Sequence, residues 1–329
     1  MRTIAEHTGF AVATVSRALS DDPRIAKATR QTVAKAAAEL GYVPDRAAQR
    51  LRTGRTKVIS LLLNHDHEFL GFTNELLTGI TGALRGTGYA VSVIPDYVGG
   101  DRLEQVRKIL QQNLADGLVF TRTESFDPRV RLLLEHAFPF VTHGRTEFSQ
   151  PHAFVDFDNE RFAREAVQYL VRQGATRLTM ILPESRFTFA QHLRYGFLSA
   201  VREHGLAYEL PEEVTLDSPP GDVLDYVRRR QAQDKPPDGH VCVGEVAAMA
   251  TLAALTDCGR RAGDGVYLAA KRASPVFELY RPQIAAQFED VRDVGRLLGD
   301  LLLRRISGEP AEKLQIVQAP LGSFKPPAI

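Results

Sequence analysis

From residue 58 onward the chain alternates between short apolar runs and longer amphipathic stretches, and this alternation limits the possible folds more than any other feature. The runs 58–63, 90–94 and 117–120 have the length and composition of buried strands, whereas 69–85 has helical periodicity. Alternating strands and helices form parallel sheets with helices on both faces. Because the pattern divides near residues 156–160, we expect two doubly wound α/β lobes with a ligand cleft at their strand ends.

The rest of this region follows the same alternation. Further strands are predicted at 138–141, 154–157, 177–182, 240–243 and 266–270. Further helices are predicted at 102–112, 129–136, 160–173, 189–204, 222–231 and 246–257.

The first 57 residues have a different pattern, which predicts a small all-α helix-turn-helix head. A helical run at 3–8 is followed by the turn Gly9-Phe-Ala11 and a second run at 12–19. Ile4, Val15 and Leu19 can close a small core between the two helices. This leaves the small and polar side chains of the second helix facing outward, namely Ala13, Thr14, Ser16 and Arg17. A third helix is predicted at 23–40. For the first two helices, the alternative interpretation is an ordinary helical hairpin that does not bind DNA.

The head and the linker after it carry most of the chain's excess positive charge. Residues 1–57 contain 11 Lys and Arg against 5 Asp and Glu, a net charge of +6, whereas residues 58–329 have a net charge of −5. This asymmetry is typical of phosphate binding. The linker contains four arginines, and its run 46–51 has helical propensity. It is either a solvated linker or a short helix that orders on DNA and inserts Leu51 into the minor groove.

Other classes of protein are disfavoured by what the sequence lacks. No apolar run approaches 18 residues and no basic-then-apolar leader opens the chain, so we expect neither a membrane span nor a secretory signal. Cys242 and Cys258 have no Cys or His at metal-binding spacing, which indicates reduced thiols of a cytoplasmic protein. The run 65–68 has metal-capable side chains but no distant partner, so no metal site is predicted. Without a phosphate-binding loop or a nucleophile elbow, we expect no cofactor and no enzyme.

Three motifs in the head occur together in one order. They are Ala13-Thr-Val-Ser-Arg-Ala-Leu19, then Leu40-Gly-Tyr-Val-Pro44, and then Ala47-Ala-Gln-Arg-Leu-Arg-Thr-Gly-Arg-Thr56. With this spacing, residues 1–57 resemble the headpiece of the LacI/GalR family of bacterial transcriptional regulators. The resemblance implies base reading at the start of the second helix, supporting backbone contacts near residue 46, and a hinge-helix lever at residue 51. The implied DNA-binding residues are Val12, Ala13, Thr14, Ser16, Arg17, Tyr42, Arg46, Ala48 and Leu51.

One feature of the head departs from this family. Its members usually begin several residues earlier, with a Thr that caps the first helix and contacts phosphate, whereas Met1 falls inside that helix here. The missing cap implies either a different start of the chain or a head that is less stable by about 1 kcal/mol.

The rest of the chain resembles the effector domain of the same family, which is similar to a periplasmic sugar-binding protein. The resemblance rests on landmarks such as Asp116-Gly-Leu-Val119, Asp156-Phe-Asp-Asn159 and Gly196-Phe-Leu-Ser-Ala-Val201. It implies a chain that crosses three times between the lobes. The implied division is a head at 1–44, a hinge at 45–57, lobe 1 at 58–156 and 284–312, lobe 2 at 157–283 and 313–322, and a tail at 325–329.

Polar and aromatic residues that follow the strands are the candidates for effector binding. Aromatic rings stack on sugar faces, and planar polar groups bind hydroxyls. For each of them, placement at the surface without ligand contact is the alternative. The candidates are Asp66, Phe69, Thr121, Arg145, Asp158, Phe189, Arg194, Glu245 and Arg272.

Several of these positions depart from the family's common sugar contacts. An Arg that usually precedes the Gly-Phe pair is replaced by Leu193, and an Asn-Asp pair is replaced by Gly244-Glu245. A Gly-aromatic-Asp-Asp run is replaced by Ala270-Lys-Arg-Ala273, which exchanges carboxylates for cations. These cations would favour an acidic ligand such as a sugar acid or phosphate. The alternative is that Lys271 and Arg272 point to solvent or pair with Glu245.

Together these features predict a cytoplasmic, homodimeric transcriptional repressor. Its expected partners are operator DNA and a small carbohydrate effector bound between the lobes. The helix at 72–84 is expected to contribute to the dimer surface. The alternative function is a cytosolic small-molecule-binding protein whose head does not function.

Overall fold

The computed structural model describes residues 1–42, 50, 54–63, 71–96, 101–281 and 284–324. The chain divides into two compact units, Met1–Thr56 and Lys57–Ile329. The first unit is the small helical head, and the second contains both α/β lobes. The predicted fold class is therefore confirmed.

The head consists of three short helices around a small core. They are α1 (Arg2–Thr8), α2 (Val12–Leu19) and α3 (Lys27–Glu39). Ile4, Val15 and Val33 are fully buried where the helices meet. The turn after α1 needs a left-handed residue, which Gly9 supplies with φ of +72°. The third helix begins at Lys27, after its N-cap residue Ala26, and not at the predicted residue 23.

Lobe 1 is built on a parallel six-stranded sheet among the described residues. The strand order is β11-β5-β4-β3-β1-β2. The strands are β1 (Val58–Leu63), β2 (Ala90–Pro95), β3 (Gly117–Phe120), β4 (Phe140–His143), β5 (Ala153–Phe157) and β11 (Gln315–Gln318). The helices are α4 (Phe72–Ala83), α5 (Glu104–Gln112), α6 (Pro128–Glu135) and α11 (Val291–Ile306).

Close packing of α4 against α11 holds lobe 1 together across a large gap in sequence. Gly79 and Gly295 face each other where the two helices meet. A Cβ on Gly295 would overlap the carbonyl oxygen of Leu76, and a Cβ on Gly79 would overlap that of Arg292. Both positions therefore require glycine, because the backbones approach too closely for any side chain.

Lobe 2 has a parallel five-stranded sheet in the order β10-β9-β8-β6-β7. The strands are β6 (Arg177–Ile181), β7 (Ala207–Glu209), β8 (Gly239–Cys242), β9 (Tyr267–Arg272) and β10 (Ala285–Phe288). The helices are α7 (Asn159–Gln173), α8 (Thr188–Glu203), α9 (Pro220–Gln231) and α10 (Glu245–Asp257), of which α7 packs on α8 and α9 on α10. No helix in the described ranges is long and apolar enough to cross a membrane.

The chain crosses between the lobes three times, after β5, after β10 and after β11. The predicted division of the C-terminal region needs a correction at two places. Residues 285–288 pair with β9 in lobe 2 although they were predicted in lobe 1, and 315–318 pair with β5 in lobe 1 although they were predicted in lobe 2. Both segments are short edge strands, whose partner depends on the fold and not on their own sequence.

Candidate functional site

The outer face of α2 presents the side chains that were predicted to contact DNA. Val12, Ala13 and Arg17 are exposed, and Val12 is 44% exposed although it is apolar. Thr14 and Ser16 are half-buried on the same helix. Tyr42 is half-buried against the head core, and its backbone N–H donates to the carbonyl of Ala37. Arg46, Ala48 and Leu51 lie outside the described residues, so their roles remain predictions.

A cavity lies between the two lobes, at the carboxyl ends of both sheets. This is the position at which parallel α/β sheets bind ligands. The described residues that line it are Phe72, Thr121, Arg122, Thr123, His143, Gly144, Asp156, Phe157, Asn159, Phe189, Lys271 and Glu289.

A buried ion pair forms part of the cavity wall. Lys271 and Glu289 are each 3% exposed, and Nζ of Lys271 lies 3.0 Å from Oε2 of Glu289. The same ammonium donates a 3.0 Å hydrogen bond to Oδ1 of Asn159. Burial raises the pKa of Glu289, but the charge of Lys271 and the contact with His143 outweigh it and lower this pKa to about 2. Lys271 therefore lines the cavity and pairs with Glu289 instead of pointing to solvent.

A second ion pair stands beside the first. Nε of Arg145 lies 2.8 Å from Oδ2 of Asp156, which follows from the position of both residues at the ends of β4 and β5. Burial raises the pKa of Asp156, and Arg145 only partly opposes this effect. Burial and the charge of Arg145 lower the pKa of nearby His192 to about 4, so His192 is neutral at physiological pH.

Residues that follow β3 in lobe 1 contact lobe 2 along one edge of the cavity. Arg122, with φ of +57°, places its guanidinium 2.6 Å from Oδ1 of Asp217 and 4.8 Å from the ring centre of Phe187, both in lobe 2. The backbone N–H of Thr188 donates to the carbonyl of Thr123 at 2.9 Å. These contacts connect the lobes on this side of the cavity.

The structure brings together only part of the predicted effector site. Thr121 and Phe189 line the cavity, and Arg145 stands behind Asp156. The carboxylate of Asp158 accepts a hydrogen bond from the backbone N–H of Arg161 and thereby caps α7. Asp66 and Phe69 lie outside the described residues.

Three other predicted effector residues are placed away from the cavity wall. Arg194 is exposed on α8. Glu245 is fully buried and accepts hydrogen bonds from the backbone N–H groups of Ala273 and Ser274. Arg272 donates to the carbonyl of Ser274, and its guanidinium lies 5.1 Å from the ring centre of Phe288. Their positions support structural roles, and their contact with a ligand stays an untested prediction.

Some lining residues were absent from the predicted site although the sequence contained a signal for them. Asp156 and Asn159 belong to the run Asp156-Phe-Asp-Asn159 at the lobe boundary, from which Asp158 alone was chosen. Glu289 directly follows β10, a strand that was not predicted. No cluster of metal-binding side chains occurs in the described parts of the chain, and the run 65–68 lies outside them.

Comparison with known families matches the two units separately. Residues 1–45 match the family model for bacterial regulatory proteins of the lacI family. Residues 167–323 match the model for a periplasmic binding protein-like domain.

Individual relatives match the chain along nearly its whole length. The HTH-type transcriptional regulator RafR of Escherichia coli is 28% identical over 98% of this chain and 96% of its own. The HTH-type transcriptional regulator CelR of Thermobifida fusca is 28% identical, over 96% of this chain and 94% of its own. The maltose regulon regulatory protein MalI of Escherichia coli is 25% identical over 95% of this chain and 94% of its own.

Solved structures show the same fold. A transcriptional regulator CelR-cellobiose complex superimposes with a TM-score of 0.70 at 24% identity, covering 97% of this chain and 96% of that one. The lac repressor dimer bound to operator and the anti-inducer ONPF superimposes with a TM-score of 0.81 at 19% identity, covering 97% and 95%.

Proposed function

We propose that the chain is a sugar-responsive transcriptional repressor that joins a head similar to bacterial regulatory proteins of the lacI family to a periplasmic binding protein-like domain. The observation that carries this proposal is the presence of two separate binding features in one chain. An exposed helix face with Val12, Ala13 and Arg17 suits the major groove, and a cavity between two lobes suits a small molecule.

The relatives support a carbohydrate as the effector. One related structure is a complex with cellobiose, and another relative is a regulator of the maltose regulon. In this chain the cavity combines the aromatic residues Phe72 and Phe189 with carboxylate and amide groups. Such a combination can stack on a sugar face and bind its hydroxyls.

We further propose that the protein acts as a cytoplasmic homodimer, by binding and not by catalysis. Two heads related by a two-fold axis would read the halves of a near-palindromic operator. A related repressor was solved as a dimer on its operator. Effector binding would shift the lobes and so change the geometry of the hinge at 45–57, where Leu51 is predicted to enter the minor groove. A coupling of about 1–3 kcal/mol between the two sites is the usual scale of such control.

The first test of this function is selection of a binding site from random duplex DNA, followed by fluorescence anisotropy on the selected site. A working head should select a near-palindrome and lose affinity steeply as salt rises. Arg17→Ala should weaken binding to the selected site by about 1–3 kcal/mol if the side chain reads a base. Lys35→Ala, in an exposed part of α3, is the matched control and should change specific binding little.

Two results would contradict the proposal. If the chain binds no duplex DNA, the alternative of a small-molecule-binding protein with a non-functional head is favoured. If a ligand binds the cavity but leaves operator affinity unchanged, the protein is not controlled in the proposed way.

A further inference from the structure

The charges around the cavity occur in oppositely charged pairs. Lys271 faces Glu289 at 3.0 Å, and Arg145 faces Asp156 at 2.8 Å. At the edge of the cavity, Arg122 lies 2.6 Å from Asp217. Among the described residues, the three cations that line or support the cavity are therefore each neutralised by a carboxylate of the protein.

The Lys271–Glu289 pair is the most enclosed of the three. Both side chains are 3% exposed, and Glu289 also lies 3.6 Å from Nε2 of His143. The low pKa of Glu289, which the charge of Lys271 maintains against the effect of burial, keeps its carboxylate ionised at all physiological pH values. An anion that approached Lys271 would therefore also approach a permanent negative charge.

This arrangement distinguishes neutral from anionic ligands. An anion loses its hydration on entering the cavity, and it regains that energy only from a cation that is not already neutralised. A hydroxyl group has no such requirement, because it can donate to a carboxylate and accept from an ammonium at the same time. Phe72 and Phe189 in the same wall add apolar side chains that suit a sugar ring.

We infer that the cavity selects an uncharged polyhydroxylated ligand, and that Glu289 is the residue that excludes anions by neutralising Lys271. This inference rests on the proposed assignment of the cavity as the effector site. It replaces the expectation from the sequence that the cations at 271 and 272 favour an acidic ligand. Lys271 does face the cavity, but its charge is neutralised by Glu289. Arg272 is directed towards Ser274 and Phe288.

The experiment is a calorimetric titration of the full-length protein without DNA. The probes are matched pairs of similar shape, namely glucose and glucuronate, galactose and galacturonate, and cellobiose and cellobiouronate, together with inorganic phosphate. In the unmodified protein we expect every anionic probe to bind at least tenfold more weakly than the neutral sugar that binds best. An anionic probe that binds more tightly than its neutral partner would overturn the inference.

The decisive variant is Glu289→Gln, which keeps the shape of the side chain and leaves Lys271 without its countercharge. We expect at least a tenfold gain in affinity for one or more of the anionic probes. The gain should disappear in the double variant Lys271→Met/Glu289→Gln. Glu309→Gln removes the same charge from a surface ion pair with Arg304 and should produce no gain.

If Glu289→Gln does not fold, Asp156→Asn tests the same reasoning, because it leaves Arg145 without its countercharge. Absence of any anion gain in the variants that fold would overturn the inference. This result is distinct from failure of the proposed function, which is measured separately as release of DNA. A protein whose Glu289→Gln variant gains anion binding, but whose ligands do not affect DNA, would retain the selectivity and lose the regulatory role.

Discussion

Replacement of Lys271 by Met should destabilise the protein strongly at neutral pH and much less in acid. The pKa of Glu289 is about 2 in the folded protein, compared with an ordinary value of 4.5. Each unit of difference corresponds to about 1.4 kcal/mol, so the depressed pKa is equivalent to about 3–4 kcal/mol of stability at pH 7. Removal of one member of a buried ion pair typically costs about 3–5 kcal/mol, which agrees with this figure.

The dependence on pH follows from the direction of each shift. In the unmodified protein the pKa of Glu289 is lowered, so its contribution is complete above pH 4.5 and is lost as the pH falls towards 2. In Lys271→Met, burial without the cation raises that pKa above its ordinary value, so the variant loses stability as the pH rises from about 4.5. The difference in stability between the two proteins should therefore be largest near neutrality and should shrink below pH 5.

Urea unfolding followed by circular dichroism at pH 7, 5.5 and 4 measures this difference. The double variant Lys271→Met/Glu289→Gln is the control, because it contains neither buried charge. Its stability should exceed that of Lys271→Met at pH 7 and should depend less on pH between 4 and 7. A stability difference of equal size at pH 4 and pH 7, or a double variant no more stable than the single one, would refute the electrostatic explanation.

Three further predictions concern other parts of the molecule. Gly295→Ala should destabilise the protein by about 1–3 kcal/mol, because its methyl group would enter the backbone of α4. Gly82→Ala on α4 meets no neighbouring atom and should stabilise by up to about 1 kcal/mol, so equal effects in thermal melts would contradict this packing. Asp217→Asn removes the carboxylate that pairs with Arg122 across the lobes. The backbone N–H of Thr188, which bonds across the same lobes, should then exchange its hydrogen about tenfold faster. An unchanged exchange rate would show that this contact between the lobes does not depend on the ion pair. Leu51→Ala should weaken binding to a selected operator while most nonspecific binding remains, and an equal loss of both in anisotropy titrations would count against a minor-groove wedge.

Local patterns were sufficient to predict the central strands and most helices. Strands β1 and β3 are continuous apolar runs because both of their faces are buried, and such runs are recognisable without knowledge of the fold. The edge strands β7, β10 and β11 were not predicted, since they are short and partly exposed. Whether such a segment forms a strand, and in which lobe, depends on its pairing with a strand that is distant in sequence.

The same limit applies to the choice of site residues. Arg272 was chosen at the end of β9, whereas the structure places its neighbour Lys271 in the cavity wall. Consecutive residues of a strand point to opposite faces, so the sequence alone does not show which of two neighbours faces a cleft. Glu245 was predicted as a ligand contact because it follows β8, although its carboxylate bonds the loop after β9.

The sequence by itself determined the class of protein: a basic helical head with three ordered motifs, followed by strand-helix alternation that requires two parallel-sheet lobes. Both properties follow from local composition and from the spacing of nearby residues, which can be read without knowing how distant parts of the chain pack. Only the tertiary structure decided that Lys271 pairs with Glu289 and that Arg122 reaches Asp217. The first pair joins β9 to the residue after β10, and the second joins lobe 1 to lobe 2, so the paired residues are distant in sequence. The attraction between their charges becomes strong only when burial removes the surrounding water.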